Sequence, residues 1–169
     1  AASDVYKRQI VTLCHRGFYS LNTAVNSPLA VSLKRFCDYY AHGSADPYER
    51  QALVRLRGVT GDRELLQQVE AHRDRFVYGP EPFDLQRLRE LRRRQQAELV
   101  KARTVNAKFS PGGLVEAEYF IQVKQIRHGA AAAELRDSNT RRAAAALHKH
   151  GLLSDEEYAT VEACYRLLR

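Results

Sequence analysis

One stretch of this chain gathers several residues that could do chemistry: Asn106-Ala107-Lys108-Phe109-Ser110-Pro111-Gly112-Gly113-Leu114-Val115-Glu116-Ala117-Glu118-Tyr119. An extended entry carrying Lys108 runs into the turn Pro111-Gly112-Gly113, which opens directly into an apolar helix with Glu116 and Glu118 in its first turns. Loops held between rigid elements are where functional side chains tend to sit. The amide groups exposed at a helix start also favour anions. By local physics alone the same pattern is an ordinary helix start, with acids matched to the macrodipole. A second stretch, Glu49-Arg50-Gln51-Ala52-Leu53-Val54-Arg55-Leu56-Arg57, is basic and predicted helical. There Gln51 neighbours Arg55, and Leu53 neighbours Arg57, by the four-residue rule. Its arginines either decorate an amphipathic surface or line up to hold phosphate, whose oxygens match a guanidinium bidentately.

These residues need elements to position them. Ile10-Val11-Thr12-Leu13 reads as a short strand, and residues 10 to 26 otherwise follow neither the helical nor the strand period. Ser27-Pro28 predicts a helix start, with the helix running to about His42. Gly61-Asp62 opens another, whose stripe is Leu65, Val69, His72 and Phe76. His72 then reads as a core-edge histidine. A further helix is predicted from Phe83 or Asp84 to Arg103, with Leu85, Leu88, Leu91 and Leu99 inward and Arg87, Arg89, Arg92, Arg93 and Arg94 as a solvated face.

From Leu114 onward, at 100° per residue, Val115, Tyr119, Val123 and Ile126 share one arc while Leu114, Ala117 and Ile121 share another. Glu118, Gln122 and Gln125 form a polar strip between them, so this helix is central and Glu118 is largely buried. A buried carboxylate needs a partner, and Arg55 and Arg57 are available. Glu116 projects from nearly the opposite side, where an acid can reach back to cap the helix start. Asn139 caps a short helix, and Ser154 with Glu157 makes a capping box for the last. The fold class is therefore mainly α, a multi-helix bundle-like domain with at most a short β remnant near the N-terminus.

Net charge is +7 over 169 residues, with 28% charged and 44% hydrophobic. The balance suits a soluble domain with a core, permits a phosphate-rich partner without requiring one, and leaves the cytoplasm as the expected location. No apolar run is long enough for a membrane span. Cys14, Cys37 and Cys164 lie far apart without CxxC spacing, as reduced thiols would. His148 and His150 have no ligand-like partners at helical spacing, and no metal site is expected within this chain. The arginines of the fourth helix do not form one face and have no interleaved aromatics, which argues against nucleic acid.

Two motifs in this order resemble the glutamine synthetase adenylyltransferase family. Glu49 to Arg57 is similar to that family's "ERQALxRxR", and Lys108 to Tyr119 resembles its "KxxPGGLxDIEF". Ser27-Pro28-Leu29-Ala30-Val31-Ser32-Leu33, leading to Phe36 and Tyr40, resembles the segment after the family's nucleotidyltransferase strands. Asn139-Thr140 and Gly151-Leu152-Leu153-Ser154 fit its pattern downstream.

The resemblance implies part of a bacterial nucleotidyltransferase that adds AMP to a tyrosine of glutamine synthetase, or removes it by phosphorolysis. It implies Mg2+ and ATP (or phosphate) as cofactors, with glutamine synthetase and a PII-type regulator as partners. Arg50, Arg55, Arg57 and Lys108 then face nucleotide or phosphate, Glu116 and Glu118 assist the metal or orient an arginine, and Pro111, Gly112 and Gly113 form the structural turn.

The family's Gly-Ser-Asp-x-Asp metal-binding signature is absent from the sequence, and the aspartate of its KxxPGGLxDIEF motif is here Glu116. The chain by itself is therefore expected to be inactive and to hold neither cofactor stably. Asp4-Val5-Tyr6-Lys7-Arg8-Gln9 reads as a translated transposon adaptor, which makes residues 1–9 an expected artefact of an environmental read assembly. Residues 10–26 are then a remnant of the upstream domain, and 27–169 a helical domain expected to be truncated at its end. The alternative function is a non-catalytic basic helical module that binds a partner protein or RNA.

Overall fold

The computed structural model describes residues 10–12, 30–41, 45 and 47–168, and these are mainly α-helical. Two compact units divide the chain, one formed by residues 1–46 with 57–76 and the other by 47–56 with 77–169. The expected adaptor residues and most of 10–26 lie outside the described residues.

In the first unit β1 (Ile10–Thr12) pairs antiparallel with β2 (Ala30–Ser32), placing Ile10 opposite Ser32 and Val11 opposite Val31. The strand expected at Ile10 is present. The helix expected from Ser27-Pro28 begins later, because Ala30 to Ser32 is committed to the strand ladder. Helix α1 (Leu33–Ala41) starts where the Ser32 hydroxyl accepts the Arg35 amide at 3.2 Å, a side-chain N-cap. Ser27 and Pro28 themselves lie outside the described residues. Phe36, 2% exposed, packs edge-on against Tyr40 and His72. Helix α3 (Arg63–Val77) is capped by Asp62, whose carboxylate accepts the Leu65 amide at 2.8 Å. His72 is half-buried on α3, and burial lowers its pKa, as suits a core-edge histidine.

The second unit contains α2 (Pro47–Leu53), α4 (Leu85–Leu99), α5 (Leu114–His128), a 3₁₀ turn over Ala133–Arg136, α6 (Thr140–Lys149) and α7 (Asp155–Leu168). Its core is one cluster of Ile121, Leu135, Ala143, Ala144, Leu147, Leu153, Val161 and Tyr165. Alanines at two fully buried positions of α6 let α5 and α7 approach closely. Both expected caps form: Asn139 accepts the Arg141 and Arg142 amides, and Ser154 and Glu157 exchange bonds of 3.1 and 2.9 Å.

Two helices are shorter than their sequence pattern suggests. After Leu53 the amides of Val54, Arg55 and Leu56 each bond to the carbonyl three residues back, so α2 tightens into a turn. The expected helical alignment of Gln51 with Arg55 and Leu53 with Arg57 is lost there, and Arg57 falls in the first unit. Helix α4 stops at Leu99 because Val100 is extended and Arg103 adopts φ +60°, which a helix cannot contain. Leu99, expected inward, is correspondingly 47% exposed. No helix among the described residues is long and apolar enough to cross a membrane.

Candidate functional site

The turn before α5 is built from its own hydrogen bonds. The Asn106 side chain accepts the Lys108 and Phe109 amides at 3.0 and 3.1 Å, while its own amide donates to the Ser110 hydroxyl at 2.8 Å. Ala107 and Lys108 then offer their carbonyls to the Leu114 and Val115 amides at 3.0 and 3.1 Å. This corrects the expectation of free amides at the helix start, since the preceding loop folds back and occupies them. Gly112 has φ +74°, where a side chain is strained. Gly113 is required for a different reason: a Cβ there would sit 2.8–2.9 Å from the carbonyl oxygens of Ser110, Ala107 and Lys108.

Glu116 reaches back as anticipated, accepting the Gly112 amide at 2.8 Å through Oε2. Its Oε1 accepts from Arg92 Nη2 at 3.2 Å and from Gln96 at 3.0 Å. The same Nη2 donates to the Phe109 carbonyl at 2.8 Å and the Ser110 carbonyl at 3.3 Å. Arg92 is 8% exposed, so the arginine expected on a solvated face is instead the internal clamp of the turn. The signal was present in the sequence. Leu85, Leu88, Arg92, Gln95 and Leu99 share the phase of the apolar stripe, which put Arg92 among inward positions.

Glu118 lies on another side of α5. Its Oε1 accepts from Arg55 Nη1 at 3.1 Å and from the Tyr165 hydroxyl at 3.0 Å. The carboxylate side chain is 13% exposed and that of Arg55 is 47% exposed. The largely buried acid thus has the arginine partner its burial demands, and the arginine side chain is half-exposed. Burial is the main cause that pushes the Tyr165 hydroxyl up to about 12. Beside this pair run further polar contacts: Gln51 bonds Gln122, and Gln95 bonds the Tyr119 hydroxyl at 3.1 Å. Burial raises the Tyr119 pKa as well.

The remaining predicted residues fall in three places. Arg50, expected to bind phosphate, is 6% exposed and donates to the carbonyls of Val77, Glu81 and Gly79 at 2.8, 2.7 and 2.8 Å. Its guanidinium is spent on holding the turn that follows α3, and burial lowers its pKa. Arg57 is exposed and belongs to the first unit. Lys108 is exposed with its ammonium 5.0 Å from the Phe109 ring centroid, and it pairs with no carboxylate among the described residues. Both candidate acids are therefore committed to arginines, and no group of three or more potential metal ligands exists among the described residues. Among the described residues these acids do not form a magnesium-binding set.

A family model described as GlnD PII-uridylyltransferase matches residues 83–169. A bifunctional glutamine synthetase adenylyltransferase/adenylyl-removing enzyme of Streptomyces coelicolor is 34% identical over 148 residues, which is 84% of this chain and 15% of that protein. Its counterpart in Leifsonia xyli is 34% identical over 152 residues, covering 83% of this chain and 14% of the relative. In Mycobacterium leprae the identity is 35% over 109 residues, covering 61% and 11%. The helical fold and these matches together define a segment of the nucleotidyltransferase class. The chain belongs to the glutamine synthetase adenylyltransferase/adenylyl-removing enzyme family, and spans about 15% of the length of the first of these curated relatives.

Proposed function

We propose that this chain is the helical segment that flanks a nucleotidyl-transfer centre, in an enzyme that adds AMP to a tyrosine of glutamine synthetase or removes it by phosphorolysis. The observation that carries the reading is the half-exposed guanidinium of Arg55, held by the largely buried carboxylate of Glu118. A fixed cation of this kind suits a phosphoryl oxygen, because its geometry is set before the ligand arrives. Lys108, exposed on a turn closed by its own hydrogen bonds, supplies a second positive charge. Glu118 orients Arg55, and Glu116 together with Arg92 holds the turn that carries Lys108.

Metal-held triphosphate chemistry needs carboxylates that the described residues do not assemble. Mg2+ and ATP (or phosphate) are accordingly assigned to a nucleotidyltransferase unit elsewhere in the enzyme, and the segment alone is inactive. In this reading the enzyme works in the cytoplasm under a PII-type regulator.

The test joins the chain to its own upstream reading frame and measures labelled AMP transferred to glutamine synthetase. Lys108→Ala and Glu118→Gln are each expected to lower transfer about 10-fold or more with the helical content unchanged, in line with loss of a charge-assisted contact to a phosphoryl group. Wild-type turnover in both variants overturns the site assignment. An intact gene that has no Gly-Ser-Asp-x-Asp strand upstream overturns the function.

A further inference from the structure

We propose that Tyr165, in the last helix and 110 positions from Arg55 in the sequence, is a positioning residue that fixes the direction of the Arg55 guanidinium by sharing the carboxylate oxygen that holds it. The inference rests on the reading of Arg55 as the phosphate-facing cation and adds the residue that sets its geometry.

Both bonds converge on one atom. Glu118 Oε1 takes the Tyr165 hydroxyl at 3.0 Å and Arg55 Nη1 at 3.1 Å. Tyr165 is 3% exposed and belongs to the core cluster with Ile121, Leu147 and Val161, so its ring cannot follow a moving carboxylate. A tyrosine hydroxyl carries a single proton. Thr140, 8% exposed at the start of α6, is a polar neighbour of the Tyr165 hydroxyl. An ionised carboxylate only accepts, so Tyr165 and Arg55 both donate to the same Glu118 oxygen. An exposed arginine on a freely rotating carboxylate samples many directions, and loses rotamer freedom only on meeting its ligand. One pinned by a core tyrosine has lost much of that freedom already. The packing of α6 and α7 is thereby transmitted to a cation at the end of α2.

Tyr165→Phe keeps the ring and removes only the hydroxyl, which separates positioning from packing. The experiment uses the isotope-labelled full chain and reads the side-chain relaxation of Arg55 Nε, then titrates inorganic pyrophosphate at low salt. Expected in Tyr165→Phe are a clear rise in Arg55 side-chain mobility and a 3- to 10-fold weaker pyrophosphate response at Arg55, order-of-magnitude figures for one lost ordering bond. Backbone shifts in α6 should stay in place. Added to Glu118→Gln, Tyr165→Phe should change neither readout further. Thr140→Val, which leaves the tyrosine intact, reads the same coupling if Tyr165→Phe does not fold. Unchanged Arg55 mobility in both hydroxyl deletions overturns the proposal. Increased mobility together with no pyrophosphate response in the wild-type chain upholds the positioning and overturns the phosphate-facing reading instead.

Discussion

Two arginine–glutamate pairs flank α5, and they are inverted in exposure. In Arg92–Glu116 the arginine side chain is 10% exposed and the acid 41%, whereas in Arg55–Glu118 the acid is 13% exposed and the arginine 47%. The buried partner decides what each pair is for. Arg92 spends its Nη2 on two loop carbonyls and an acid, while its Nε and Nη1 are buried without a hydrogen-bond partner among the described residues, so it acts as scaffold and presents no charge outward. A buried carboxylate needs only enough donors to balance it, so Arg55 keeps its outer side available. Similar chemistry on the same helix therefore yields a clamp in one place and a presented cation in the other.

Stability measurements should separate the two sharply. Arg92→Met removes the donor shared by Phe109, Ser110 and Glu116, and is expected to destabilise the chain by about 3 kcal/mol by urea unfolding. A loss below about 1 kcal/mol would make Arg92 another surface arginine and dissolve the contrast. Next in size, Gly113→Ala drives a Cβ against three carbonyls and should cost about 2 kcal/mol, as an overpacked site does. Gly112→Ala meets nothing within 4 Å and should cost about 1 kcal/mol through its φ alone. Reversal of that order would mean that the loop carbonyls yield easily.

Arg55→Ala should cost about 1 kcal/mol, less than Arg92→Met, since the half-exposed arginine is screened by solvent and Glu118 keeps the Tyr165 hydroxyl as a donor. If its cost matches that of Arg92→Met, Arg55 is scaffold too.

A pH effect sharpens the Glu118 side. The Tyr165 hydroxyl is pushed up to about 12 in the folded chain against an ordinary 10. The unfolded chain therefore releases this proton first. Its contribution to stability is complete below pH 10 and is lost as pH rises toward 12. The urea midpoint should fall more steeply from pH 10 to 11 for the wild type than for Tyr165→Phe. Equal slopes would remove the hydroxyl from the network.

Legibility of the sequence followed the range of the interaction. Caps and periods are local, so α3, α5, α6 and α7 were readable, as was the back-reach of Glu116 to its own helix start. The burial of Glu118 and its need for an arginine also followed from helical projection. Which arginine answered depended on α2 tightening after Leu53, and no spacing rule announced that. That α1 starts at Leu33 had a non-local cause as well, because Ala30–Ser32 pairs with Ile10–Thr12. Arg92 was legible by phase but was misread by type: an arginine in an apolar stripe is easily assigned to solvent when its acceptors are backbone carbonyls of a later loop. Tyr165 reads as one more apolar position of α7, and nothing in the sequence tells which acid its hydroxyl meets.

The crowding around Gly113 also bears on how this gene can change. Every base substitution that replaces a glycine without ending the chain introduces a side chain with a Cβ. At this position each of them meets the same three carbonyl oxygens. No single-step replacement of the residue is sterically neutral, and a second change elsewhere in the turn cannot easily precede it, because those oxygens already cap α5 and close the loop. The glycine is thus expected to stand still while its surroundings, and the third base of its own codon, drift: a fixed point set by atomic spacing alone.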